Sequence, residues 1–396
     1  MCGKEVGVRD KYKYLGVWLS DDLKWDVQVL EVVVKAKQAV RELGGVWACK
    51  DVGLRVKKNV WKAVGRPKMD YGGELWFANS KQEASLESVQ LQLAGWWLGC
   101  SSKTTREAVL GDLGLEPLKA RRDKGKLKEW GKMCGMGEER LERLAWGLKC
   151  EFAGRRRSWS SVVRALMKEY GLEEAAKRVV EGVMSGEEWE AEVEGRVEEG
   201  VVEKWWEGVE RSRKLRRYAG VKGKRWGMEE WMRGKWSKEK KLKFRWRSGS
   251  CGLMEDMGRR SGYSKGCGVC GEEEETVEHV MWECEGYSDI REECEKVMGM
   301  EARKCDEEQW WSEFKKESVG EKTRLVLGGE VKEGGGGVKE PRRVELLLEV
   351  IGLQLISKTH ERRIELLYGC CPTTNIISSG GSQSTSSAKH MVSLQK

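Results

Sequence analysis

Residues 26–43, DVQVLEVVVKAKQAVREL, decide the fold class of this chain. Apolar side chains recur in this stretch at spacings of four, three, four and three residues: Val29, Val33, Ala36, Val40 and Leu43. That period places them on one face of an α-helix, and the glycine pair that follows is a common helix stop. The stretch therefore predicts an amphipathic helix and, with similar patterns downstream, a mainly α fold.

The segment before this helix has a different pattern. Residues 12–19, YKYLGVWL, are aromatic and β-branched, and Ser20, Asp21 and Asp22 supply turn chemistry after them. We predict a short β-hairpin, or a strand that leads into a turn at the aspartate pair. A two-metal polymerase site would need a third carboxylate upstream of such a pair. We therefore interpret the two aspartates as a hydrated turn.

Helix start and stop signals recur after residue 43. A second helix is expected at residues 54–64, ended by Pro67, because the residue before a proline avoids helical geometry. A third is expected from Ser80, with Glu83 completing a capping box, and a fourth after Thr104 and Glu107. Four prolines favour helices, whereas 49 glycines indicate that the helices are short.

Composition limits the class of protein. The chain has 396 residues, 39% of them apolar, with a net charge of +8. Its thirteen cysteines, an odd number without regular spacing, indicate a reduced intracellular protein of the nucleus or cytoplasm. Apolar runs stay well short of the roughly 18 residues of a membrane span, so we expect no membrane partner.

The clearest local motif is CGVCGEEEETVEHVMWEC, residues 267–284. It places Cys267, Cys270, His279 and Cys284 in a Cys-x2-Cys-x8-His-x4-Cys pattern, and three thiolates with one imidazole satisfy tetrahedral Zn²⁺. All four positions are protein ligands, so the predicted zinc is structural. Ordinary buried thiols with a surface histidine are the alternative. The acidic loop 272–275 should repel phosphate, so any nucleic acid should contact flanking basic residues.

A basic segment precedes this motif. Residues 211–247 contain sixteen Lys/Arg and three Glu, interleaved with aromatic residues. Cations neutralise phosphates and aromatic faces stack on bases, although the tryptophans could instead pack inward. We predict RNA or DNA as the partner, no small-molecule substrate, and contacts from Arg216, Arg217, Lys224, Arg225, Trp226, Lys241, Lys243, Arg245, Trp246, Arg247, Arg259 and Arg260.

Several stretches resemble one known family. KYKYLGVWLSDDLKWDVQV, VWKAVGRPKMDYGGELW and SLESVQLQLAGWWLGCSSKTTREAVLGDLGLEPLKARRD look like the region that follows the catalytic palm in reverse transcriptases of non-LTR (LINE-type) retrotransposons. LKFRWRSGSCGLMEDMGRR with the cysteine motif is similar to the C-terminal part of those polyproteins, which ends in a Cys-Cys-His-Cys knuckle. The resemblance covers about residues 10–150 and 240–290.

The resemblance implies an architecture. It implies a hairpin that closes a palm, with Asp21 and Asp22 in its turn, then a helical thumb-like bundle and a small zinc-knuckle module. The composition of the chain adds a helical linker between these two and a disordered C-terminal tail. The expected divisions are 1–25 (hairpin), 26–150 (thumb-like domain), 151–210 (acidic helical linker), 211–250 (basic segment), 251–300 (zinc knuckle), 301–371 (helical or irregular extension with a Gly-rich linker) and 372–396 (disordered tail).

The endonuclease, the fingers and the catalytic aspartate motifs of that family are not found in this sequence. We therefore expect a truncated reverse transcriptase fragment that is not an enzyme and that keeps zinc-dependent binding of RNA or DNA. Two alternatives remain open at this stage. The chain could be a piece of an active RNA-directed DNA polymerase, or an inert translated remnant of a retroelement.

Overall fold

A computed structural model describes residues 9–22, 24–100, 104–144, 158–258, 266–271, 274–331 and 341–368. The predicted tail at 372–396, the Gly-rich linker around 332–340 and the first eight residues lie outside these ranges. The described chain is mainly helical, as predicted. Its helices are α1 (Asp26–Glu42), α2 (Gly44–Ala48), α3 (Leu54–Val60), α4 (Arg66–Asp70), α5 (Ser80–Leu98), α6 (Arg106–Leu113), α7 (Leu118–Cys134), α8 (Trp159–Glu169), α9 (Glu173–Val180), α10 (Gly186–Arg211), α11 (Arg216–Lys222), α12 (Lys238–Arg247), α13 (Met254–Gly258), α14 (Ser288–Lys304), α15 (Glu308–Lys316), α16 (Val319–Val326) and α17 (Pro341–Tyr368).

The N-terminal hairpin is present, but its turn differs from the predicted one. Strands β1 (Lys11–Tyr14) and β2 (Val17–Ser20) pair antiparallel. Leu15 and Gly16 connect them with positive φ angles of 45° and 87°, which is the two-residue turn that suits the twist of a hairpin. The aspartate pair instead follows β2, exposed, with the Lys24 ammonium 2.9 Å from the Asp22 carboxylate. The aspartate pair thus lies in an exposed turn, outside the hairpin loop.

Helix α1 has its predicted limits, whereas two of the predicted starts are displaced. The capping box of α5 uses Asn79 and Gln82, whose side chains bond reciprocally to backbone amides, instead of Ser80 and Glu83. Asn79 is the last residue in extended geometry, so only its side chain reaches the free amides of the first turn. Helix α6 begins after Thr105 without a side-chain cap.

Pro67 does not end the second helix. The helix continues from α3 through a π-helical turn at Trp61–Gly65 into α4. Arg66, directly before the proline, keeps helical angles of φ −59° and ψ −44°. Pro67 lies in the first turn of α4, where its missing amide costs little. The tertiary packing of Trp61, which is fully buried, overrides the local preference.

Two helices are long, contrary to the expectation from the glycine content. Helix α10 has 26 residues and α17 has 28. Ser185 caps α10 in a reciprocal capping box with Glu188. One residue in four faces inward along α10 and forms a buried stripe: Trp189, Val193, Val197, Val201, Trp205 and Val209. The glycines of α10 lie outside this stripe. Burial of the stripe therefore stabilises the helix more than intrinsic helix propensity does.

Helix α10 packs along α7 at a close approach that requires glycine. The Trp189 indole donates to the Leu127 carbonyl at 2.9 Å. A Cβ at Gly131 would lie 2.2 Å from the Trp189 ring, whereas a Cβ at Gly195, on the outer face of α10, would meet nothing within 4 Å. Packing against Trp189 therefore requires glycine at position 131, whereas a larger residue fits at position 195.

We expect Gly131→Ala to lower the free energy of unfolding by about 1–3 kcal/mol, because overpacking displaces the indole. Gly195→Ala should raise it by about 0.5–1 kcal/mol through helix propensity. Urea titrations of the two variants measure both changes. Equal shifts of the same sign would contradict the packing assigned to Gly131.

The described residues form three hydrophobic cores. The first is built by α1 to α6 and also takes Tyr218, Trp231, Trp236 and Phe244 from the basic segment. The second surrounds residues 267–287 and includes α14 and the middle of α17. The third lies among α7, α8, α9 and α10. The basic segment thus supplies side chains to two cores, since its Val221, Leu242 and Trp246 belong to the second.

Within the described ranges, no helix combines the length and the apolar character that a bilayer crossing requires.

Candidate metal centre and basic surface

A tight turn presents the first two cysteines of the motif. The Gly271 amide donates to the Cys267 carbonyl at 2.8 Å, which closes the loop around Cys270. Gly271 has a φ of +79°, a backbone conformation that glycine adopts without strain. The glycine that follows Cys-x2-Cys in the sequence is therefore needed for the turn that brings both sulfurs to one side.

The histidine and the last cysteine lie on a second turn. The Thr276 hydroxyl accepts a hydrogen bond from the His279 amide at 3.0 Å and so starts a helical turn. Residues His279–Glu283 then form a π-helical turn, and the Cys284 amide donates to the His279 carbonyl at 2.8 Å. This wider turn brings the imidazole and the Cys284 sulfur to the same side, across a spacing of five residues.

The four predicted ligands come together. Their ligand atoms all lie within 4.8 Å of one another, and the four residues could hold a metal ion. The sulfurs of Cys267 and Cys284 are 3.9 Å apart, and the Cys270 sulfur is 3.3 Å from Nε2 of His279. Sulfurs at about 2.3 Å from a tetrahedral zinc would be about 3.8 Å apart. A disulfide would need about 2.05 Å, so this spacing fits shared coordination and excludes a bond between Cys267 and Cys284 in this conformation.

Burial and hydrogen bonds act in opposite directions on the thiols. Burial raises the pKa of Cys284 to about 12 and also raises the pKa of Cys267. Backbone amides of Val269 and Cys270 hydrogen-bond the Cys267 sulfur, and the Gly286 amide hydrogen-bonds that of Cys284; each lowers the thiol pKa by a smaller amount. These amides donate hydrogen bonds to the sulfurs, and the same hydrogen bonds would stabilise thiolates. A bound cation would supply the remaining stabilisation.

Two ion pairs tie this candidate metal centre to distant helices. Arg363 of α17 forms a two-bond pair with the buried Glu275 carboxylate at 2.7 and 2.8 Å. Arg217 of α11 lies 2.6 Å from Glu255 and 3.2 Å from Glu278, the residue before the ligand His279. Glu275 is thus paired with a cation, whereas residues 272 and 273 of the acidic loop lie outside the described residues, so the repulsion of phosphate by this loop stays a prediction.

The structure divides the predicted nucleic-acid contacts by exposure. Arg216, Lys224 and Arg225 are exposed, while Arg217, Trp226, Lys241 and Arg245 are half-buried. Lys243, Trp246 and Arg247 are buried. Arg259 and Arg260 lie outside the described residues. Only part of the predicted set can therefore reach a phosphate in this conformation.

The three buried residues have structural roles instead. Arg247 pairs with Glu229 at 2.6 Å and with Asp112 at 3.5 Å, next to Lys222. Burial, helped by the charge of Arg247, lowers the pKa of Lys243 to about 7. Trp246 packs in the second core. These side chains are removed from the contact surface that the sequence predicted, because none of them reaches solvent.

Arg211 and Arg213 are also exposed, although they are not among the individually predicted contacts. With Arg216 and Lys224 they form the free cationic set, which we define as the exposed cations of this segment that have no ion pair among the described residues. Arg233, Lys235 and Lys238 are also exposed, but each pairs with a carboxylate. The sequence RSRKLRR shows that this run is basic, but composition does not separate cations that form ion pairs from cations that do not.

Comparison with known proteins gave no relative: no protein-family model matches the chain, no curated protein is similar to it, and no solved structure matches its fold.

Proposed function

We propose that the chain binds one structural zinc ion at Cys267, Cys270, His279 and Cys284. The support is the donor set together with its spacing, because three sulfurs and one imidazole nitrogen lie within 4.8 Å of one another. Softer thiolate donors favour zinc over calcium or magnesium, which prefer oxygen. With four protein ligands, no coordination position remains for a substrate, so the ion would stabilise the fold.

We further propose that the zinc-ordered region binds single-stranded RNA or DNA. One observation carries this proposal: Arg217 bonds to Glu278 beside the ligand His279, and thereby fixes α11 against the metal centre. The neighbouring Arg213 and Arg216 are exposed and unpaired among the described residues. Cations in this position gain free energy by releasing the counterions of a phosphate backbone.

The free cationic set can be tested by the salt dependence of binding. We expect the variant Arg211→Gln, Arg213→Gln, Arg216→Gln to bind a single-stranded oligonucleotide more weakly. The slope of log K against log salt should become shallower by about 2, since each lost phosphate contact removes about 0.7. Fluorescence anisotropy at several salt concentrations measures both effects.

A matched variant controls for the change in net charge. Arg196→Gln, Arg233→Gln, Lys235→Gln also removes three exposed cations, but each of these lies in a surface ion pair. It should leave the slope nearly unchanged. Equal effects of the two variants, or a wild-type slope near zero, would rule out the proposed contact surface.

We also propose that the chain is a non-catalytic fragment of a non-LTR retrotransposon reverse transcriptase. The support is the sequence resemblance given above and the helical order behind a short hairpin. The genomic DNA upstream of the start codon tests this origin. A continuous open frame with an aspartate pair would favour a polymerase instead.

A further inference from the structure

A cavity of about 260 Å³ lies between α6, α7 and α10, beside the loop that carries Trp226. Three aromatic residues take part in its lining: Trp205 and Tyr170 are buried, and Trp226 is half-buried. Trp226 meets Trp205 edge to face, with ring centroids 5.2 Å apart. Pockets for drug-sized ligands hold about 300–1,000 Å³, so this cavity suits a smaller group of the size of one nucleobase.

One of the cations that line the cavity has no ion pair among the described residues. Lys119 and Lys204 both pair with Glu169, at 3.5 and 2.5 Å. Arg106 also lines the cavity, is exposed, and has no ion pair among the described residues. Lys119 also pairs with Asp123 at 2.5 Å, and Glu107 adds one further carboxylate to the lining. The unpaired guanidinium of Arg106 is thus available to a phosphate.

The cavity adjoins the basic segment. Lys224 and Arg225 are exposed and directly precede Trp226. The Gly227 amide donates to the Gly111 carbonyl of α6 at 3.0 Å, which holds this loop against the cavity wall. A nucleic-acid strand that contacts Lys224 would therefore pass directly beside the Trp226 ring.

We infer that this cavity takes one unstacked base of a bound single strand, with Trp226 as the stacking face and Arg106 on the adjoining phosphate. The inference rests on the proposed function, because it requires that the chain binds a single strand. Aromatic faces stack on any base, so the pocket would give base dependence with little sequence preference.

A pair of strands tests the pocket on the unmodified chain. One is a fluorescent ten-nucleotide oligodeoxynucleotide, and the other has the same length and phosphates but carries abasic sites throughout. We expect the strand with bases to bind about tenfold tighter, and Trp226→Leu to lower that affinity about tenfold. Binding of the abasic strand should not change in this variant, whereas Trp226→Phe should keep most of the base-dependent affinity.

A control variant separates the pocket from general stacking on tryptophan. Trp96 is 51% exposed and lies on α5, outside the cavity lining. Trp96→Leu should leave both affinities unchanged.

Equal wild-type binding of the two strands would overturn the pocket while leaving electrostatic binding intact. An equal loss for both strands in a folded Trp226→Leu chain would also overturn it. Failure to bind either strand would overturn the proposed function and this inference with it. The comparison of the two strands on the wild-type chain needs no variant, so it tests the pocket even if Trp226→Leu folds poorly.

Discussion

Cys284→Ser is expected to abolish zinc binding and, with it, the folded state of the second core. The Cys267 and Cys284 side chains are 2% and 1% exposed and pack with Val277, Met281 and Tyr287. Structural zinc contributes about 10–16 kcal/mol in small peptides. That exceeds or matches the whole stability of a typical domain, about 5–15 kcal/mol, so the remaining contacts cannot replace it.

Elemental analysis and limited proteolysis measure this result. The wild-type chain should contain one zinc ion, and the variant should contain none and be cleaved within residues 266–331. Cys305→Ser is the matched control, because Cys305 is a free thiol in the same region and outside the ligand group. It should keep both zinc and protease resistance. Zinc retained in Cys284→Ser would disprove the ligand assignment, and a folded wild-type chain without zinc would disprove the site.

Acidification should also release the ion. The proposed zinc ion would bind thiolates, so its binding would displace protons from Cys267, Cys270 and Cys284. Because burial raises the thiol pKa of Cys267 and Cys284, the metal-free state holds these protons firmly. Lower pH then favours the protonated, metal-free state, and the apparent zinc affinity falls as pH falls.

Asp112→Asn is expected to cause the second largest loss of stability, about 3–5 kcal/mol, by leaving buried charge uncompensated. Asp112 on α6 is fully buried, and its carboxylate accepts a hydrogen bond from the Tyr218 hydroxyl at 2.8 Å. Lys222 lies 3.3 Å from the same oxygen and Arg247 lies 3.5 Å from it. All of these side chains lie where water cannot solvate them.

A second carboxylate completes the buried charge network. Glu229 is 2.6 Å from Arg247 and 3.3 Å from Lys222, so two acids balance two bases. Burial alone would raise the pKa of Glu229, but Arg247 and Lys222 lower it to about 2. Removal of the Asp112 charge would leave one carboxylate for two buried cations. The network joins α6 of the first core to α11 and α12, so its loss should loosen that contact.

Urea unfolding of three variants measures the network. Asp51→Asn is the surface control, because the Asp51–Lys235 pair at 2.7 Å is largely exposed and such pairs contribute about 0–1 kcal/mol. Adding Lys222→Met to Asp112→Asn removes the unpaired charge and should restore part of the lost stability. A loss no larger than that of Asp51→Asn, or no restoration in the double variant, would contradict the account.

Local spacing predicted the elements that depend on near neighbours in the chain. The apolar period of residues 26–43 gave α1 with its observed start at Asp26, since an isolated helical face is a property of the sequence. The four residues that could hold a metal ion were likewise found by spacing, because two short turns bring them together within 18 residues. The turn at Leu15 and Gly16 was missed, because leucine is an unusual residue at positive φ.

Only the tertiary structure decided which charges of the basic segment are available. Lys243 and Arg247 are buried while Arg213 and Arg216 are exposed, although all four lie in one cationic run. Arg247 is buried against two carboxylates: Glu229 lies in the same segment, and Asp112 is far away in the sequence. A buried charge persists only where a counter-charge meets it in space. No local pattern encodes a partner as distant as Asp112. The sequence by itself therefore determined the mainly helical class and the Cys/His group that could hold a metal ion, whereas the packing of distant helices determined the surface.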